Sequence, residues 1–501
     1  VAVPETHEVA AEAGGIRLAR GPLLAVAGAV AALLVATSWR YGFHRDELYF
    51  LVAGQHPDWG YPDQPPMTPI LARLMDGLGG SIVVIRLPSA IAGGVTVLLA
   101  GMTAREMGGG RRAQLIAAAC TAVSATTLVT GHFVSTTTYD VMFSAALTWL
   151  LARSVRTGES WLLLPAGLAL GLGLLNKPLI GVLAAALLVG IALAGPRRLL
   201  RSGWLWAGAA VVAVCGAPYL VWQALNGWPE LHMAGSIAGG DAQGGRIGFI
   251  PFQLLLVSPV LAPVWIAGLV RVFRAGPGRP FRFLGIGYLL LAVVYLLAGG
   301  KAYYLAGMYP ALLAAGAIAT DGWLRDVRGR ARLLAAALGL SLVVGAVVGL
   351  AVLPARALGP VLALNPDAGE QVAWPRYVDQ IAAVWNRLPG SQRATGVVLT
   401  QNYGEAGAID RYGPTVGLPA AYSGHNGFAN WAQPFGQAAP VVVVGYADDS
   451  VRGRLFGACE QQATLDNGLG LDTQEQGVPV WVCGQPPRPW ADTWDDVRHL
   501  S

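Results

Sequence analysis

The residues best equipped for chemistry sit in one polar stretch, 41–69, which reads YGFHRDELYFLVAGQHPDWGYPDQPPMTP. It sets Asp46 beside Glu47, adds His44, His56, Asp58 and Asp63, and closes in a proline-rich turn. A carboxylate in such a loop can take a proton from an acceptor hydroxyl. The complementary groups come later. Of 34 basic residues only Lys177 and Lys301 are lysines, and Lys301 is followed closely by Tyr303 and Tyr304. Ammonium and phenol groups stabilise a departing phosphate, so acids and cations together fit transfer of a group from a phosphate to a hydroxyl. Each residue also has a plain reading. Asp46 could be an ordinary solvated acid, Lys301 a snorkelling interfacial lysine, and Lys177 part of a helix end before Pro178. Arg246 and His232 could belong to a surface loop, and His425 and Asn426 to loop structure in the tail.

The elements that must position these groups are membrane spans. The chain of 501 residues is 54% hydrophobic and only 13% charged, and its mean hydropathy is +0.50. Soluble domains carry about 25% charged residues, so the composition is that of a polytopic membrane protein. Apolar segments fall near 21–39, 83–103, 114–130, 137–151, 161–175, 178–195, 203–222, 249–270, 284–299, 303–320 and 333–354, eleven in all. The first is read as an uncleaved span, because no small-residue cleavage site follows it. Arginines cluster in alternate linkers, eighteen on one side against seven basic residues on the other. The positive-inside rule then puts the 1–20 tail in the cytoplasm of a multi-pass inner or plasma-membrane protein, and 41–82 outside. The same alternation explains a pI near 9.1 without a nucleic-acid partner.

After residue 354 the pattern changes. Residues 375–388 read as a helix, and 394–400, 439–445 and 479–483 as strands, giving an extracytoplasmic α/β domain over 355–501. Within the first outer loop, amphipathic helices are expected around 47–54 and 67–76. Cys459 and Cys483 fall on the oxidising side, where a disulfide can form, whereas Cys120 and Cys215 lie inside spans. No P-loop, dinucleotide fingerprint, zinc pattern or repeat is present. No cofactor is expected, with a divalent metal left open.

An acidic DE pair after the first span, then YPDQPP, then RLPSA from Arg86, resembles glycosyltransferase family 39 of the GT-C class. That family includes protein O-mannosyltransferases and the lipid A aminoarabinose transferase. TTTYDVMFSAALTWL around Asp140, LGLLNKPLIG around Lys177, QALNGWPEL around Trp228 and KAYYLAGMYPALLAAGA from Lys301 continue the series in order. In the tail, NYGEAGAIDRYG and SGHNGFANW resemble the outer domain of bacterial members.

The resemblance implies a GT-C catalytic domain over 21–354. It also implies a polyprenyl-phosphate sugar as donor, transfer on the outer face with inversion, and a lipid, glycan or protein hydroxyl as acceptor. Asp46 falls on the family's catalytic aspartate, with Glu47 beside it. Lys301, Tyr303, Tyr304, Lys177 and Arg246 are expected at the donor phosphate, and Asp140, Arg86 and Asp63 in loop ordering or substrate contact. A transporter or flippase for a lipid-linked sugar is the alternative, and a membrane scaffold displaying the tail is a third. The clustering of polar groups at one face and the lack of paired halves favour the enzyme.

Overall fold

The computed structural model describes residues 15–239, 245–325 and 327–500. The chain divides into two compact units. The first holds the described residues up to Thr37 together with Arg86–Asn226 and Ile237–Leu350. The second holds Ser38–Ile85, Gly227–Ser236 and the chain from Ala351 onward.

The first unit is helical, and each apolar segment expected from the sequence lies on helix. Among the described residues six helices are long and apolar enough to cross a membrane: Arg20–Thr37, Ile82–Glu106, Gly203–Leu225, Arg279–Ala298, Ala302–Leu324 and Arg328–Gly349. Two bent pairs raise the number to eight. Arg111–Ala122 and Ala125–His132 meet at 52°, where Ser124 accepts from the amide of Thr127 and caps the second helix. Gly245–Val257 and Pro259–Phe273 meet at 80°, where Ser258 has φ 131° and Pro259 cannot continue the preceding hydrogen-bond ladder. Ser160–Leu174 and Leu179–Ala194 are apolar but shorter. Thr136–Thr157 is long enough, but Asp140, Arg153 and Arg156 keep it outside the apolar set.

Exposure identifies the solvent these helices are built for. In Arg328–Gly349 only 11% of the apolar window is buried, and in Gly203–Leu225 only 17%. Wide apolar faces left uncovered over three turns or more belong in hydrocarbon, where helices satisfy every backbone group internally. The chain is a multi-pass membrane protein. Its core runs along Ala302–Leu324, 78% of whose window is buried. Small residues let helices close up: a Cβ on Gly167 would come within 2.6 Å of the Cα of Gly208.

The second unit is a mixed five-stranded sheet with helices around it. Strands β1 (Val397–Thr400), β2 (Ala421–Ser423), β3 (Val441–Val444), β4 (Cys459–Thr464) and β5 (Pro479–Cys483) lie in the order β2-β1-β3-β5-β4. β1 pairs in parallel with β2 and β3, while β5 is antiparallel to β3 and β4. β1, apolar up to Thr400, and the all-valine β3 are buried on both faces, as parallel strands are. Cys459 and Cys483 face each other across β4 and β5 and form a disulfide. Cys120 and Cys215 are free. The expected helices are Arg45–Gln55, Met67–Gly77 and Trp374–Arg387.

Candidate active site

The helix Arg45–Gln55 is started by its own sequence. His44 is the N-cap, and its Nδ1 accepts from the amide of Asp46 at 3.1 Å. Glu47 reaches back, its Oε2 accepting from the amide of His44 at 2.8 Å. This reciprocal capping box satisfies two amides that the first helical turn leaves open. It also gives the two adjacent acids different surroundings. Glu47 is 1% exposed and turned inward, whereas 35% of the Asp46 side chain is exposed.

Asp46 is held while remaining accessible. The Tyr403 hydroxyl donates to its Oδ1 at 2.7 Å, and Arg45 Nε lies 3.7 Å from the same oxygen. Arg45 is itself fixed by Glu370 at 2.6 Å and by the Gln474 side chain, with its guanidinium over the Tyr403 ring. His44 Nε2 faces Glu370 at 3.5 Å. Since Nδ1 is an acceptor, a neutral His44 carries its proton on Nε2, toward Glu370. Burial raises Glu370 to about 7, against the pull of His44 and Arg45. Burial also raises Glu405 and Glu475, which share a hydrogen bond in the same unit.

The surface that orients this helix is the helix Tyr403–Tyr412. Asn402 caps it, Tyr403 reaches Asp46, and two glycines one turn apart make room for the partner. A Cβ on Gly404 would meet Arg45 Cβ at 2.8 Å, and one on Gly407 would meet Leu48 Cβ at 3.0 Å. Arg411 then bridges to the second loop helix, pairing with Asp76 at 3.3 Å and donating to the carbonyl of Gly80 at 2.8 Å.

Asp63 has a different setting. Its Oδ1 accepts from the Tyr49 hydroxyl at 2.6 Å, and that hydroxyl accepts from the amide of Gly427 at 3.1 Å. Tyr49 packs with Tyr403, Phe428 and Trp431, and Trp431 stacks on His56 with centroids 4.8 Å apart. Burial in this aromatic wall raises Asp63 to about 7, partly offset by the Tyr49 hydrogen bond. Its geometry pins the 57–66 turn to the tail. His425 is buried, stacks on His499 and lies under the amide of Tyr403.

The first unit gathers the cations and phenols around Lys177, not Lys301. Lys177 Nζ lies 3.2 Å from Thr137 Oγ1 and stands over the rings of Tyr303 and Tyr304, at 5.1 and 5.5 Å from their centroids. Asn176 donates to the carbonyl of Thr136 at 2.8 Å, fixing the turn that carries the lysine. Asp140, one turn on from Thr137, is buried within electrostatic reach of Lys177. Lys301 begins the short helix Ala302–Met308 and has no side-chain partner among the described residues. Arg246 donates to the carbonyl of Leu297 at 3.2 Å and is exposed. Arg86 is fully buried. Among the described residues no three His, Cys, Asp or Glu gather as a metal would require.

Sequence reasoning did not single out Tyr403, Glu370 or Trp431 as site residues. Tyr403 and Trp431 stand inside the two tail motifs quoted above, so the signal was present. Glu370 carried none, because its role depends on a fold that returns it to Arg45.

Residues 63–222 match a family model described as dolichyl-phosphate-mannose-protein mannosyltransferase. Among solved structures, the chain is similar over 91% of its length to apo ArnT from Cupriavidus metallidurans, at 16% identity, with 97% of that chain covered and a TM-score of 0.56. The same protein bound to undecaprenyl phosphate gives 15% identity, the same coverage and a TM-score of 0.57. Arabinofuranosyltransferase AftD from Mycobacteria matches 92% of this chain and 40% of its own, at 17% identity and a TM-score of 0.50. No curated protein matches in sequence. The fold is that of the GT-C glycosyltransferases, and the resemblance read from the sequence motifs holds.

Proposed function

We propose that the protein is a membrane glycosyltransferase that moves a sugar from a polyprenyl phosphate to an acceptor hydroxyl outside the cytoplasm, with inversion. The carrying observation is Asp46: a carboxylate fixed by Tyr403 and a capped helix yet left a third exposed, beside a Glu47 committed to the cap. In the reaction the acceptor oxygen attacks the anomeric carbon as the bond from that carbon to the phosphate oxygen breaks. Asp46 takes the hydroxyl proton, and polyprenyl phosphate leaves with the bond electrons. Lys177, flanked by Tyr303 and Tyr304, stabilises the charge growing on the departing phosphate, and Lys301 and Arg246 add to it at longer range. Asp140 holds Lys177 in place, and Asp63 and Arg86 order the segments before and after the second loop helix. The polyprenyl phosphate bound by ArnT, the family model over 63–222, and the alternating arginines support the donor class and an outside site. We place the N-terminus in the cytoplasm, with eleven crossings and the chain after 354 outside.

The two bent helix pairs are the observation that favours a flippase, since transporters use broken spans. A panel of labelled polyprenyl-phosphate sugars, incubated with the purified protein, separates the readings. Release of polyprenyl phosphate from one donor is expected and names the sugar. Transbilayer movement of an intact lipid-linked sugar in vesicles, with no release, would replace the enzyme by the transporter.

A further inference from the structure

The first unit contains a second basic site. A cleft of about 400 Å³ is lined by Arg17, Arg20, Arg105 and Arg153, with Leu18, Met102 and Trp149 supplying apolar wall and Glu106 at the base. The single acid is already balanced. Glu106 is 2% exposed, with Arg105 on Oε1 at 2.9 Å and Arg156 on Oε2. Positive charge therefore exceeds negative within the cleft.

The cleft is built, not incidental. Gln114, fully buried, accepts from the amide of Ala19 at 2.9 Å and donates to the carbonyl of Arg17 at 3.2 Å, holding the segment that brings in Arg17 and Arg20. Arg105 Nε donates to the carbonyl of Ile16 at 3.1 Å. Arg153 stacks over the Trp149 ring, its guanidinium carbon 5.7 Å from the centroid. Both Arg153 Nε and Trp149 Nε1 are shielded from solvent without a hydrogen-bond partner among the described residues.

We propose that this cleft binds the phosphate of an anionic membrane lipid, with the phosphate oxygens on the arginines and the acyl end against Leu18, Met102 and the Trp149 ring. Arginine suits phosphate through its fork of donors, and the apolar wall suits a lipid over a free anion. The cleft is separate from the Lys177 cluster and is assigned no part in transfer.

The test is equilibrium binding to the full-length protein in neutral detergent. The probes are short-chain phosphatidylglycerol, short-chain phosphatidylcholine and glycerol 3-phosphate. Wild type is compared with Arg153→Gln, Trp149→Phe and, outside the cleft, Arg332→Gln. Saturable phosphatidylglycerol binding is expected, weaker by roughly tenfold in Arg153→Gln, less weakened in Trp149→Phe, and unchanged in Arg332→Gln. Equal binding of glycerol 3-phosphate would keep the phosphate site and make its source soluble. Equal affinity for phosphatidylcholine, or equal losses in Arg153→Gln and Arg332→Gln, would overturn the proposal.

Discussion

Tyr403 donates to Asp46 across 357 residues of sequence, and its loss offers the gentlest test of how the carboxylate is held. Tyr403→Phe removes one hydrogen bond and keeps the ring, so turnover is expected to fall by about tenfold while donor affinity, measured by titration, stays unchanged. Glu47 should behave otherwise. Glu47→Gln preserves an acceptor for the His44 amide and should keep most activity, whereas Glu47→Ala should lower stability by about 1 kcal/mol, the worth of a cap. Among the cations, Lys177→Ala is expected to cost more in turnover than Lys301→Ala, because Lys177 is the one packed on Tyr303 and Tyr304. Asp63 adds a pH dependence. Its folded pKa is raised to about 7, so its contribution to stability is complete below the ordinary carboxylate range and is lost as pH rises through 7. The thermal midpoint should therefore fall between pH 5 and pH 8, and Asp63→Asn should flatten part of that fall.

At the scale of elements, the packing of Tyr403–Tyr412 on Arg45–Gln55 decides where Asp46 points. Gly407→Val would drive a branched side chain into Leu48, with a Cβ already 3.0 Å from it. A loss of about 1–3 kcal/mol is expected, with turnover falling together with the thermal midpoint. Gly390→Ala, where a Cβ meets nothing within 4 Å, should change neither. The loop helices, the long tail helix and the three apolar strands were legible because periodicity and caps are local. β2 and β4 were not, since AYS is short and CEQQAT is polar, each an edge strand defined by its partner alone. The breaks at Ser124 and Ser258 were likewise hidden, because a bend inside an apolar run leaves hydropathy unchanged.

For the whole molecule, composition and arginine spacing carried the membrane reading, and exposed apolar helices such as Arg328–Gly349 agree with it. What sequence order concealed is that the first loop and the chain from Ala351 form one compact unit. Cutting the chain at 355 from the sequence pattern separates Asp46 from Tyr403. The sidedness can be checked with a phosphatase reporter that is active only outside the cytoplasm. Fused after residue 501 it should be active, and fused within the 197–201 linker, inactive. The most direct measurement is turnover of the productive donor by Asp46→Asn, with donor binding measured on the same preparation. Loss of turnover by roughly 10²–10⁴-fold with donor affinity retained is expected of a general base. Turnover at the wild-type rate, or loss of binding in step with activity, would contradict the role assigned to Asp46.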